Sequence, residues 1–238
     1  MSSEGGRAKL DGGTGNDLIS KRQENRHGKQ PAPQPVPRDL KGTTFFGGAG
    51  MDGEYIPDMV KALEEAGFEN VRALDRETWS SGMYVDAAGT VLERVRDDEA
   101  TDFSGFGNKG EQFNLVGYSH GAQQAAQAAA DYADSGGKVD NLVLIGAPVS
   151  QEFLDALKNH PNIGNVIVKD LTAEGDRIRA GMGLGEQILA APSLGADLSA
   201  ARVSDSPAKG HFYYSDNGRS GSERRRELAK WLKNQGLK

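Results

Sequence analysis

"NLVGYSHGAQQAAQAAA", residues 114–130, passes from an apolar run through a glycine-flanked serine into an alanine-rich segment. The reading that fits is strand, tight turn, helix, with Ser119 at the apex. "GYSHG" satisfies G-x-S-x-G, a pattern of common residues that gains weight only from its surroundings. An apolar strand must precede it and a helix must follow directly. "FNLV" lies upstream and "AQQAAQAAA" downstream. Side chains at Gly117 and Gly121 would collide as the chain folds back, so glycine relieves the crowding. A serine held there occupies a strained backbone, and its hydroxyl projects above the carboxyl edge of the sheet. The amide of His120 opens the helix and can face a developing oxyanion.

Outward from this turn the chain is rhythmic from residue 43. "TTFFGG" is a β-favouring run stopped by glycines. "EYIPDMVKALEEAG" carries Ile56, Met59, Val60 and Leu63 at helical spacing, with Gly67 as a stop. "FENVRALD", "VDNLVLIGAP" and "IGNVIVKDL" read as strands, and "SQEFLDALKNH" as a helix. "SERRRELAKWLKNQ" is a charged amphipathic helix whose apolar stripe is Leu228, Trp231 and Leu232. Strands alternating with helices predict an α/β fold: a mostly parallel central sheet of five strands, flanked by helices on both faces. "NLVLIG" and "NVIVKDL" are almost continuously apolar, as strands buried on both sides should be.

Residues 1–41 are rich in Gly, Pro, Gln and charge, and are expected to form a disordered or extended tail. The folded domain is then 42–238, with insertions at about 75–110 and 179–205. Within the tail, "GGTGNDLIS" (12–20) fits one calcium-binding nonapeptide repeat, with Asp17 and Ile19 at the ligand and apolar positions. A single copy cannot stack, so calcium binding is not expected from it.

Composition removes several classes of function. The 238 residues contain no cysteine, which excludes thiol catalysis and thiolate–metal sites. A net charge of −6 argues against general nucleic-acid binding. No stretch approaches the roughly 20 apolar residues of a membrane span, although transient contact with a membrane surface is compatible with the chain. "MSSEGGRAKL" lacks the apolar core of a signal peptide. The expected location is therefore cytoplasmic, or outside the cell by a leaderless route. "GGAGMDG" matches neither G-x-x-x-x-G-K-[ST] nor G-x-G-x-x-G, which argues against a phosphate cradle.

A serine hydroxyl needs a base to take its proton, and the motif predicts the chain order serine, acid, histidine. Of four histidines, His27 precedes the serine, His120 adjoins it, and His160 ends a helix-like stretch beside Pro161. His211, in "AKGHFYYSDNG", follows the last strand and precedes the final helix, where the base belongs. "NVIVKDLTAEGDRI" offers Asp170, Glu174 and Asp176 as the acid. Asp176 is favoured, because Asp170 still falls within or at the edge of the strand. Its carboxylate would fix the imidazole tautomer. The second oxyanion donor should come from "FFGGAGMDG": Ala49, or its neighbours Gly48 and Gly50. Candidate substrate contacts are Met51, Tyr118, and Leu184, Ile188, Leu189 and Leu194 of the apolar 179–205 segment. That segment is read either as a lid or acyl-pocket wall or as a solvated excursion, and residues 75–110 as a solvated excursion with its own small helix or hairpin, a lid being the alternative.

Together "FFGGAG", "LVGYSHGA", "GDRI" and "GHFYY" resemble the α/β-hydrolase superfamily on its lipase and esterase side, over roughly residues 43–236. The resemblance implies a serine hydrolase that forms an acyl-enzyme, without a cofactor, and Ser119, Asp176 and His211 fit its triad position by position. The chain departs from the pattern in having few strands before the serine turn and a long insertion at 75–110. Those departures bear on substrate more than on fold. The single repeat in the tail also resembles secreted bacterial lipases and toxins, and antibacterial lipase effectors carry similar "GYSHGA" turns. The expected substrate is a carboxylic ester, of an acyl lipid or phospholipid. The alternatives are a thioesterase or amidase on the same triad, or a binding protein that keeps the fold without turnover.

Overall fold

The structure is a computed structural model that describes residues 38–48, 54–74, 101–183, 185–186, 190 and 208–238. The 12–20 repeat with Asp17 and Ile19, the residues Ala49, Gly50, Met51, Leu184, Ile188, Leu189 and Leu194, and most of both insertions lie outside the described residues.

All five expected strands form: β1 Gly42–Phe46, β2 Val71–Ala73, β3 Phe113–Tyr118, β4 Val139–Ile145 and β5 Ile163–Lys169. They make one sheet in the order β2-β1-β3-β4-β5, and every neighbouring pair is parallel. The helices between and after them are α1 Tyr55–Glu65, α2 His120–Asp134, α3 Gln151–Asn159 and α4 Arg219–Asn234. The chain order reverses between β1 and β3, and in open α/β sheets that reversal opens a crevice at the carboxyl ends of the strands. Ser119 follows β3 at that crevice.

Strand alternation divides the core. Phe46, Leu115, Leu142 and Leu144 pack on one face with the alanines of α2 and with Phe153, Leu154 and Leu157 of α3. Phe45, Val116, Tyr118, Val143 and Ile145 face the other way, against Met59 and Leu63 of α1 and Leu228 and Leu232 of α4. The alanine run of α2 lets that helix lie close to the sheet, since most of its packing face carries only methyl groups. On α4, Leu228 and Leu232 are buried as the stripe predicts, each contributing about 1.5–3 kcal/mol relative to exposure. Trp231 is only partly buried, and Lys169 Nζ lies 4.7 Å from its ring centroid.

Two expectations need correction. β5 is not buried on both sides: it is the edge of the described sheet, and Val166, Ile167 and Val168 are only partly covered. Its apolar run reflects packing on both faces without a further strand to shield it. The end of the 75–110 insertion is not a solvated excursion. Phe103 and Phe106 are buried in an edge-to-face cluster with Phe113 and Tyr132, at the amino end of the sheet.

That amino end holds a polar row the sequence reading did not anticipate. Thr43, Asn114, Asn141 and Asn165 are paired in register across β1, β3, β4 and β5. Asn165 donates to Asn141 Oδ1 (2.9 Å), Asn141 to Asn114 Oδ1 (2.7 Å), and Asn114 to Thr43 Oγ1 (3.0 Å). The carbonyl of Lys238 accepts from Asn114, and the Lys238 amide donates to Gln112, so the C-terminus is fastened to the same row.

Candidate active site

The turn after β3 is strained as expected. Ser119 has φ 58° and ψ −127°, and only Asn70 shares a positive φ among the described non-glycine residues. Asparagine tolerates that region; for serine the conformation costs on the order of 1–3 kcal/mol. Ser119 caps α2, yet its side chain makes no capping hydrogen bond, which leaves the hydroxyl to other partners. The two flanking glycines act against different obstacles. A Cβ at Gly117 would overlap the backbone of Ala122 on the following helix. One at Gly121 would overlap the carbonyls of Phe46, at the end of neighbouring β1, and of Gly47 just past it.

Three side chains from three segments meet above this turn. Ser119 Oγ is 2.5 Å from His211 Nε2, and His211 Nδ1 is 2.8 Å from Asp176 Oδ2. All three are buried, at 7%, 4% and 6% exposure. A carboxylate only accepts, so in the neutral ring Nδ1 carries the proton and Nε2 turns its lone pair to the serine hydroxyl. The second carboxylate oxygen of Asp176 accepts the Ile178 amide at 2.8 Å, which fixes the acid on its turn.

Asp170 does not reach the imidazole: its Oδ1 accepts the amide of Ala180 at 2.9 Å, and the bond is exposed. Glu174 is exposed on the 3₁₀ turn Thr172–Glu174. His160 sits at a corner, 3.1 Å from Asp134 Oδ1. His120 opens α2, placing its amide at the positive end of a 15-residue helix, while its ring lies beside Gln124 Nε2 at 3.2 Å.

Two assigned site roles change. The Gly48 amide donates to Tyr55 Oη at 2.9 Å in a buried bond, so it is committed elsewhere and is not a ready oxyanion donor. Tyr118 does not line a substrate surface. Its side chain is fully buried on the α1/α4 face, edge-to-face with Tyr55 and Tyr214, and its hydroxyl donates to the carbonyl oxygen of His211.

Other contributors escaped the sequence reading. Gly146 ends β4 at φ 51°, where a Cβ would sit 3.2 Å from Asp176 Oδ2 and 3.6 Å from His211 Cε1. Its signal was present, a glycine closing "NLVLIG" on the strand beside the serine. Gly210, just before His211, takes a left-handed φ of 58° that an L side chain would strain. From α4, the buried Arg225 donates to the carbonyls of Tyr214 and Asp216 (2.7 Å each) and pairs with Asp58 on α1 at 2.7 Å. Arg224 donates to the carbonyls of Ala208 and Tyr213. Burial pushes the Asp58 carboxyl up, but hydrogen bonds from Arg225 and Ser222 and the arginine charge outweigh it, holding Asp58 below the usual carboxylate range. In Asp216, burial is likewise outweighed by the Gly218 amide, the Ser220 hydroxyl and the Ala208 amide. No local pattern marks an arginine in a charged helix as the clamp of a loop ten residues upstream.

A family model described as alpha/beta hydrolase fold matches residues 107–204. This is an α/β-hydrolase fold. The matched part of the hydrolase fold runs from just before β3 past Asp176, covering the serine turn, and ends before His211. No curated protein and no solved structure matches the chain. Among the described residues no helix is long and apolar enough to cross a membrane.

Proposed function

We propose that the protein is a serine hydrolase of carboxylic esters. Ser119 is the nucleophile, His211 the base and Asp176 the acid that orients it. The observation that carries this reading is the unbroken relay from Ser119 Oγ through both ring nitrogens of His211 to Asp176 Oδ2. On attack, the Ser119 proton passes to Nε2 as Oγ bonds to the ester carbonyl carbon, and Asp176 stabilises the imidazolium. The tetrahedral anion lies at the start of α2, where the His120 amide donates. The Gly48 amide is engaged by Tyr55, so the sequence candidates for the second donor are Ala49 and Gly50, which lie outside the described residues. Collapse returns the proton from Nε2 to the leaving alcohol. Water then repeats the sequence on the acyl-enzyme, releasing the acid and restoring Ser119. The chain's own groups supply every proton transfer.

An acyl-lipid or phospholipid substrate is supported by the composition of residues 181–200, "GMGLGEQILAAPSLGADLSA", and by the small buried apolar cluster of Ile178, Met182 and Ala190 just past the acid. The test is labelling with a fluorophosphonate, followed by a panel of short-chain, long-chain and phospholipid esters. The expected result is covalent modification of Ser119, lost in Ser119→Ala and strongly slowed in His211→Ala, with hydrolysis rising with acyl length. A folded wild-type chain that takes no label overturns the enzyme reading and favours a non-catalytic binding protein. Preference for thioesters or amides would overturn the ester assignment alone.

A further inference from the structure

We propose that Tyr118 is a positioning residue for the base, tying the His211 peptide to the strand that carries Ser119. The inference rests on the reading of Ser119 and His211 as nucleophile and base. Tyr118 is the last residue of β3 and is bonded directly to Ser119, so the backbone that sets the nucleophile also sets this phenol. The hydroxyl donates to the carbonyl oxygen of His211 itself, 93 positions later. One buried phenol thus holds the base loop at the peptide of His211 itself.

The phenol stays where it is because its ring is enclosed. Tyr55 and Tyr214 meet it edge-on at centroid distances of 6.3 and 6.1 Å, and the His211 ring lies 6.1 Å away at 30°. Burial also pushes the Tyr118 hydroxyl well above the ordinary tyrosine range, so it remains a donor wherever a histidine base can work. The neighbouring Tyr55 performs the matching task on the other side, holding the Gly48 amide of the β1 loop. Arg225 grips the same base loop from α4 at the carbonyls of Tyr214 and Asp216, but it makes no bond to His211. Only Tyr118, among the described residues, joins the peptide of the base to the element bearing the nucleophile.

A positioning role predicts a loss of rate without a loss of substrate binding. Misplacing a reacting group by about 1 Å costs up to roughly a hundredfold. Tyr118→Phe should therefore label with fluorophosphonate about 10- to 100-fold more slowly than wild type, with KM for an ester unchanged and kcat reduced. Tyr132→Phe is the control. That tyrosine is also buried, and its hydroxyl accepts the Leu40 amide at the far end of the sheet. It should lower the melting midpoint and leave the labelling rate alone.

If loss of the hydroxyl's volume unfolds the chain, 4-fluorophenylalanine at position 118, which fills the space but cannot donate, replaces phenylalanine in the comparison. 4-Aminophenylalanine at the same position restores a donor and should recover most of the rate. Labelling of the donor-less 118 variant within twofold of wild type overturns the proposal, as does equal slowing in Tyr132→Phe. A wild-type chain that takes no label, or a Ser119→Ala chain that labels as wild type does, removes the catalytic reading and this inference with it. A labelled wild type with an unslowed 118 variant removes only this one.

Discussion

The two ends of the sheet both bury polar side chains, and they use them in opposite ways. At the amino end, Thr43, Asn114, Asn141 and Asn165 donate and accept along one row, with no titratable group in the chain of bonds. At the carboxyl end, a hydroxyl, an imidazole and a carboxylate are linked across three segments, on a serine whose backbone is strained. The row is an ordinary device of stability, in which each satisfied bond contributes about 1 kcal/mol net. The relay, on the proposed reading, passes a proton from Ser119 to His211. Buried polarity therefore does not mark a site; the candidate is the linked serine, imidazole and carboxylate on a strained turn.

The sharpest way to break this contrast is Asp176→Asn. The side chain keeps its shape but offers an amide where the carboxylate accepted Nδ1–H, which favours the wrong imidazole tautomer. The expected outcome is a fall of about 10³–10⁴-fold in kcat with a small change in melting midpoint, read by ester hydrolysis and calorimetry. A rate within tenfold of wild type would mean that the carboxyl end is another structural network.

Gly146→Ala probes the same end more gently. Its Cβ would press on Asp176 Oδ2 from 3.2 Å and must accept φ 51°. The left-handed backbone costs about 1–2 kcal/mol, and displacement of the acid should lower kcat about 10- to 100-fold. Denaturant titration and steady-state kinetics on one preparation separate the two effects.

The mirror experiment is Asn141→Leu at the amino end. It removes bonds to Asn114, Asn165 and Gln112 together. Stability should fall by about 2–4 kcal/mol as buried partners lose their bonds, while kcat per folded molecule is unchanged. A comparable loss of rate would show that the two ends are mechanically coupled.

The order of legibility follows the range of the interactions. The serine turn could be read because its requirements are local: β-favouring residues, two glycines and a run of helix formers within twenty positions. The five strands could be read for the same reason. His211 and Asp176 were accessible by order along the chain, since the alternatives could be set aside by position. The choice between Asp170 and Asp176 depends on where the chain leaves β5, and it resolves once Asp170 is seen capping Ala180. Gly48 and Tyr118 were assigned other roles because hydrogen bonds to Tyr55 and His211 span folds of the chain that no local pattern encodes. The asparagine row was visible as the recurring "NLV", "NLVL" and "NVIV" at strand starts, yet its meaning depends on register, which pairs positions 114, 141 and 165 side by side.

By itself the sequence determined the alternation of strands and helices, the strained serine turn and the two partners that follow it, because each depends on residues close together or on their order. Only the tertiary structure decided which carboxylate meets the imidazole, that the Gly48 amide is taken by Tyr55, and what grips the loop that carries His211. Those outcomes are set by distances of about 3 Å between segments up to a hundred residues apart, and hydrogen-bond strength falls steeply beyond that range.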